Sequence, residues 1–78
     1  MNNVSRVTRD TWGVFAPSHA VVAAVVIQPM GMLSFQVARL SPVDGMIATV
    51  SVVRDGLTWA EAEVVAAAEA DRLAQGVA

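Results

Sequence analysis

The C-terminal part of the chain carries, in order, the local signals of a turn, a helix cap, a helix and a helix stop. Asp-Gly at residues 55–56 favours a turn. Thr58 and Glu61 have the spacing of a capping box, in which each side chain accepts a hydrogen bond from the backbone N–H of the other residue. Gly76 supplies the stop. We therefore predict one C-terminal helix over about residues 59–75.

The predicted helix has one face of small apolar side chains with a large residue at each end. On a helical wheel this face holds Trp59, Ala62, Ala66, Ala70 and Leu73, and it is flanked by Val65 and Glu69, whereas Glu61, Ala68, Asp71, Arg72 and Gln75 point away. An alanine-lined face allows a close approach to a sheet. The helix is therefore expected to pack on strands through this face.

The residues before the helix are divided into pieces of strand length. The dividing points are Pro17, Pro29 with Gly31, residues 41–45 and residues 55–56. The first piece predicts an irregular strand centred on residues 12–16, and residues 1–10 are expected to be held loosely.

Residues 20–28 carry apolar side chains on both faces and allow two interpretations. One is a strand buried on both sides or in a dimer interface. The other is a short helix capped by Ser18. The many β-branched residues favour the strand, although periodicity alone leaves the choice open.

The next two pieces predict a β-hairpin. In residues 32–40, Leu33, Phe35 and Val37 alternate with polar or small residues, as in a half-buried strand. Residues 46–53 form the second strand. The predicted fold is thus α+β, an antiparallel meander of three to four strands packed against one C-terminal helix, with residues 1–78 forming a single domain.

Composition limits how this domain is stabilised. The chain has 78 residues, no cysteine and one histidine, so disulfides and thiolate metal sites are excluded and no metal or cofactor is expected. It is 55% hydrophobic and only 15% charged, against about 25% charged in an average domain. Its mean hydropathy is +0.54. A compact alanine-rich domain and an exposed interface both fit, and a homodimer would replace the missing covalent staples.

Charge and hydropathy exclude several classes of partner. The net charge is −2 with five arginines and no lysine, which disfavours direct nucleic-acid binding. The longest apolar run, residues 20–27, is far shorter than the roughly 20 residues of a membrane span. The N-terminus lacks the apolar region of a signal peptide. We expect no membrane association and a cytoplasmic location.

The titratable residues do not suggest catalysis. His19 has no second histidine, cysteine or neighbouring carboxylate with which to form a ligand set or relay, so we expect it on the surface or in a loop. Asp44 and Asp55 precede glycines and are expected to close turns. An enzyme would need a deep cleft containing His19 and a carboxylate. A non-catalytic binding protein is therefore expected.

Four of the seven acids lie on the predicted helix, where they form either a solvated face or an acidic strip for a basic groove on a partner. Two arginines near the N-terminus are candidates for binding a partner's carboxylates, although they also fit a soluble tail. The candidate partner-binding residues are Arg6, Arg9, Glu61, Glu63 and Asp71.

Two resemblances suggest a more specific function. Gly56, Thr58, Glu61 and Ala62, followed by residues 69–70, are similar to the stretch that opens the main helix of HicB-type antitoxins, although the Pro-Gly-Cys turn of that family is absent. The resemblance implies a small strand-rich protein that sequesters a toxin.

As a whole, a short cysteine-free chain with a few strands and one alanine-rich helix resembles the accessory proteins of phages and mobile elements, including anti-CRISPR inhibitors. That resemblance implies a protein of the bacterial host cytoplasm that binds a Cas effector or surveillance complex and blocks its access to target DNA. The alternative is an antitoxin-like or structural homo-oligomeric binding module.

Overall fold

The computed structural model describes residues 3–43 and 46–76, with side chains over residues 4–41 and 50–75. The described residues form five strands and one helix, which are β1 (Asn3–Thr8), β2 (Thr11–Phe15), β3 (Val21–Gly31), β4 (Ser34–Val43), β5 (Met46–Leu57) and α1 (Trp59–Gly76). Neighbouring strands pair antiparallel in the order β1-β2-β3-β4-β5. This confirms the predicted α+β meander with a C-terminal helix, with five strands instead of three to four.

The additional strand comes from the N-terminal residues that were expected to be loose. Residues 3–8 form β1, which pairs with β2 and places Val4 opposite Val14 and Arg6 opposite Trp12. The expectation of a loose N-terminus was therefore wrong for these residues. The sequence of β1 is only weakly hydrophobic, but a short turn at residues 9–10 places it beside β2. Pairing with β2 then stabilises it as a strand.

Within residues 20–28, a strand begins at Val21, as the β-branched composition favoured, and the rival helix does not form. Burial alternates along β3, where Ala23, Val25 and Ile27 are buried and the residues between them are half-buried. One face of β3 therefore belongs to the core. The other face lies on a side of the sheet that no described element covers.

The predicted hairpin is confirmed as β4 paired with β5. The Asp55-Gly56 step, however, lies inside β5 and not in a turn between elements. The pairing jumps there from Val37–Arg54 to Phe35–Leu57, and Gly56 has φ 66°. A glycine in this left-handed region at such an irregularity is typical of a β-bulge. The turn prediction for Asp55 was therefore wrong, while Asp44 lies outside the described residues.

The capping box forms as predicted at the start of α1. The backbone N–H of Thr58 donates to Glu61 Oε1 at 2.9 Å, and the backbone N–H of Glu61 donates to Thr58 Oγ1 at 3.2 Å. These two bonds satisfy N–H groups that have no partner within the helix. No helix in the described part of the chain is long and apolar enough to cross a membrane.

The core lies between α1 and one face of the sheet. Ala62, Ala66 and Ala70 are fully buried, and α1 packs mainly on β2, β3 and β4. The sheet contributes a layer of buried side chains, namely Trp12, Val14, Ala23, Val25, Ile27, Val37 and Leu57. The predicted helical face is thus the buried one, and its small side chains let the helix lie close to the strands.

The opposite face of the sheet, called here the open sheet face, carries a different row of side chains. Directly paired residues run across all five strands in the order Ser5, Gly13, Ala24, Leu40 and Val50, with Thr11, Val26, Ala38 and Val52 in the adjacent row. A Cβ on Gly13 would lie 2.8 Å from the Phe15 ring and 3.2 Å from Val7. Phe15 and Val7 therefore lie on this face as well.

Candidate functional site

The predicted partner-binding residues Arg6 and Glu63 contact each other. Arg6 Nη2 donates to Glu63 Oε2 at 2.7 Å, and the Arg6 guanidinium lies 4.5 Å from the centre of the Trp12 ring. Arg6 Nε also donates to the backbone carbonyl of Arg9 at 3.1 Å. This network ties β1 to α1 across the ring of Trp12. These contacts give both side chains a role within the fold.

The other candidates have different surroundings. The Arg9 guanidinium lies 4.7 Å from the centre of the Trp59 ring, at the end of the sheet where α1 begins. The Glu61 carboxylate accepts from the backbone and side chain of Thr58, which lower the pKa of Glu61. Asp71 is exposed on α1. The five candidates therefore do not form one continuous charged surface.

Glu69 is almost fully buried, although the sequence placed it at the margin of the buried helical face and within an acidic strip. Its carboxylate accepts from Arg72 Nε and, at 2.9 Å, from Arg72 Nη2, and Arg39 Nη1 of β4 lies 3.9 Å from Glu69 Oε2. The hydrogen bonds from Arg72 are the main cause of the lowered pKa of Glu69. With Glu61 and Glu63, three of the four helical acids thus have contacts within the chain.

We expect Glu69→Gln to lower the free energy of unfolding at pH 7 by about 1–2 kcal/mol. The substitution replaces the buried carboxylate, which accepts charge-assisted hydrogen bonds from Arg72, with a neutral amide. The folded-state pKa of Glu69 lies below its ordinary value of 4.5. The stabilisation is therefore complete above pH 4.5 and is lost as the pH falls through the lowered pKa. Urea denaturation between pH 7 and pH 3 should show the wild type and the variant converging in acid.

Glu63→Gln is the matched control for this prediction. Glu63 pairs with Arg6 at a partly exposed position, so its replacement should cost less than about 1 kcal/mol. A constant difference between Glu69→Gln and the wild type across the whole pH range would contradict the assignment of this stabilisation to the carboxylate.

The single histidine lies in a loop. His19 is exposed in the connection between β2 and β3, where its backbone N–H donates to the Ala16 carbonyl at 2.8 Å, as expected for a loop histidine. It has φ 69°. Among the described residues, no group of three or more His, Cys, Asp and Glu is placed to hold a metal ion.

A groove of about 550 Å³ lies at the end of the sheet where α1 begins. Its lining is mostly apolar and consists of Arg9, Asp10, Ile27, Pro29, Leu33, Phe35, Thr58 and Trp59. The meander creates it, because the β1–β2 turn, the β3–β4 turn and the β5–α1 junction all lie at this end. His19 is not part of this lining.

The groove has an aromatic floor and a charged rim. Phe35 and Trp59 meet edge to face with ring centres 5.4 Å apart. The carboxylate of Asp10 accepts from the hydroxyls of Thr8, at 2.7 Å, and Thr11, at 3.1 Å, and these bonds lower its pKa. Asp10 is therefore held as an anion beside the Arg9 cation. Sequence reasoning missed this site because its residues come from four separate segments.

The end of β3 and the β3–β4 turn project three large apolar side chains into solvent beside this groove. Met30, Met32 and Leu33, called here the hairpin tip, are 59%, 96% and 87% exposed. Leu33 has φ 62°, a region that side chains other than glycine rarely adopt. Leu33 was predicted to share the buried face of a strand with Phe35 and Val37. That prediction was wrong, because Leu33 lies in the turn before β4 begins.

The fold and its surfaces define a small α+β protein with a helix-covered sheet, an apolar groove with a protruding hairpin tip, and an open sheet face. No protein-family model, no curated protein and no solved structure matches the chain.

Proposed function

We propose that this chain is a non-catalytic inhibitor that binds another protein through the hairpin tip and the adjacent groove. The observation that carries the proposal is the exposure of Met32 and Leu33, the most exposed large apolar side chains among the described residues. A monomeric surface rarely gathers such residues in one place, and where it does they mark a site of interaction.

The backbone at Leu33 supports the same proposal. A leucine in the left-handed region costs about 1–2 kcal/mol relative to an ordinary conformation, and glycine would avoid that cost. Strained residues are found at ligand clamps and binding sites, where the surrounding structure holds them. Here the strained backbone conformation places the Leu33 side chain in solvent beside an apolar groove. A partner's surface would cover both the side chain and the groove.

The chemistry of the groove fits a protein partner. Methionine side chains adapt to irregular apolar surfaces, as Met30 and Met32 would at the tip. The rings of Phe35 and Trp59 provide an apolar floor for a partner side chain. Arg9 and Asp10 at the rim offer one cation and one anion, so the partner segment would be mainly apolar with polar groups at its margins.

The most specific form of the proposal is an anti-CRISPR protein of phage or mobile-element origin acting in the cytoplasm of a bacterial host. In this form the partner is a Cas effector or surveillance complex, and binding blocks its access to target DNA. The support for this form is the resemblance in size, composition and strand-helix organisation. An antitoxin-like or structural homo-oligomer is the second candidate, and the open sheet face favours it.

The test measures how much labelled target DNA is bound by purified Cas complexes as this protein is added. We expect a stoichiometric loss of DNA binding, and we expect Met32→Ser combined with Leu33→Gly to weaken the inhibition at least about 10-fold, because two exposed apolar anchors are removed. Thermal denaturation should show that Leu33→Gly alone does not destabilise the protein, since glycine relieves the strain at this position.

Val64→Ala is the matched control, because Val64 is also highly exposed but lies on α1 away from the tip and groove. It should inhibit like the wild type. Inhibition that survives the loss of both tip side chains would contradict the proposed binding site. Failure to bind any Cas complex tested would contradict the anti-CRISPR form.

A further inference from the structure

The open sheet face is apolar and lies on the opposite side of the sheet from α1 and the groove. Val50 and Val52 on β5 are 59% and 56% exposed, and Leu40, Ala24 and Val26 are half-buried. Within the described chain no element packs on this side, because the helix contacts the strands through the face that holds the core.

The open sheet face also lacks charge. None of its side chains in the two paired rows is charged, and its polar members are the hydroxyls of Ser5, Thr8 and Thr11. The Asp10 carboxylate, which accepts from Thr8 and Thr11, lies at the margin of the face. Gln28 and Gln36 continue it toward the hairpin tip and are hydrogen-bonded to each other at 2.8 Å. The nearby charged residues Arg6 and Arg39 are paired with Trp12 and Val25, and they therefore lie on the helix side of the sheet. Only another uncharged surface would cover this face without burying an unpaired charge.

The size of the face suits a stable interface. The molecule measures 39 × 22 × 20 Å. Its long dimension is close to the length of the 12-residue strand β5, about 40 Å when extended. The five strands together contain 44 residues, which at about 3.3 Å per residue and about 4.8 Å between strands cover about 700 Å². This area is close to the roughly 800 Å² that each partner contributes to a standard interface.

We infer that a second copy of this chain covers the open sheet face with its own open sheet face. A two-fold arrangement covers both faces at once, and each copy supplies the uncharged apolar surface that the other requires. The product is a sandwich of two five-stranded sheets about 10 Å apart, with a helix on each outer side. The groove lies on the helix side of the sheet and stays accessible in this dimer, so the inference does not depend on the proposed function.

Val52→Arg and Val50→Arg test the inference, because each places a charge within the proposed interface, midway along the edge strand β5. Sedimentation equilibrium should show the wild-type chain at twice its 8.2 kDa mass at about 100 µM. Each arginine variant should raise the dimer dissociation constant at least about 100-fold, since the new charge is buried without a partner. Val52→Thr keeps the β-branched shape and should raise the constant by a smaller factor, about 10-fold.

Val64→Arg is the control, since it introduces the same charge at a position that is 71% exposed on the outer side of α1. It should remain a dimer, and circular dichroism should show that all four variants are folded. A wild-type chain that is monomeric at about 100 µM would overturn the inference. A dimer that survives both Val50→Arg and Val52→Arg, or one that is lost in Val64→Arg, would overturn it as well.

Discussion

Replacing Trp12 with alanine is expected to lower the free energy of unfolding by about 3–5 kcal/mol. Trp12 is 94% buried in the middle of the layer between the sheet and α1, and its ring also lies under the Arg6 guanidinium. A domain of this length has a total stability of about 4–12 kcal/mol. The variant should therefore be partly or largely unfolded at 37 °C, as measured by urea denaturation at fixed protein concentration.

Trp12→Phe is the control for this prediction, because phenylalanine retains most of the buried area and a ring beneath Arg6. The loss of unfolding free energy in Trp12→Phe should be less than half of the loss in Trp12→Ala. A loss below about 1 kcal/mol in Trp12→Ala would show that this residue is not the centre of the core.

Ala66→Leu is expected to cost about 1–3 kcal/mol, because it adds three carbon atoms where α1 lies closest to the strands. Ala66 is fully buried, as are Ala62 and Ala70 one turn away on either side. A larger side chain must either push the helix from the sheet or adopt a strained rotamer. The measurement is the shift of the urea midpoint with an unchanged slope.

Ala68→Leu provides the comparison on the same helix. Ala68 is exposed, and leucine and alanine differ little in helix propensity, so this change should alter stability by less than about 0.5 kcal/mol. Equal losses in Ala66→Leu and Ala68→Leu would contradict the close packing of the alanine face on the sheet.

The helix could be predicted from the sequence because its signals are local. The capping box of Thr58 and Glu61 involves residues three apart, and the buried face follows from a period of 3.6 residues. The hairpin of β4 and β5 was likewise predicted from alternation and from the connection between the two strands. In these segments, backbone geometry and side-chain pattern agree without help from distant residues.

The strand count and the turns were harder, because they depend on pairing. β1 has little hydrophobic pattern, and its Arg6 lies on the core side only because Trp12 and Glu63 are there to receive it. The dipeptide Asp55-Gly56 is equally suited to a turn and to a β-bulge. Only the register with β4 decides between the two.

The groove could not be predicted for the same reason. With residues 1–10 treated as a tail, Arg9 had no fixed position. Once β1 is a strand, the first and third turns and the start of α1 lie at one end, which brings Arg9, Leu33 and Trp59 together. The burial of Glu69 also needed the fold, since Arg39 comes from a strand 30 residues earlier in the chain.

The central proposal for this protein is that α1 covers one face of the sheet and a second copy of the chain covers the other. The most direct measurement is an isotope-filtered NOE experiment on a mixture of ¹³C-labelled and unlabelled chains. We expect intermolecular NOEs from the methyl groups of Val50 and Val52, and none from the core methyl groups of Val14 and Val25. Intermolecular NOEs that arise instead from Val64 on α1, or a mixture that gives none, would contradict the assignment of the open sheet face as a contact surface.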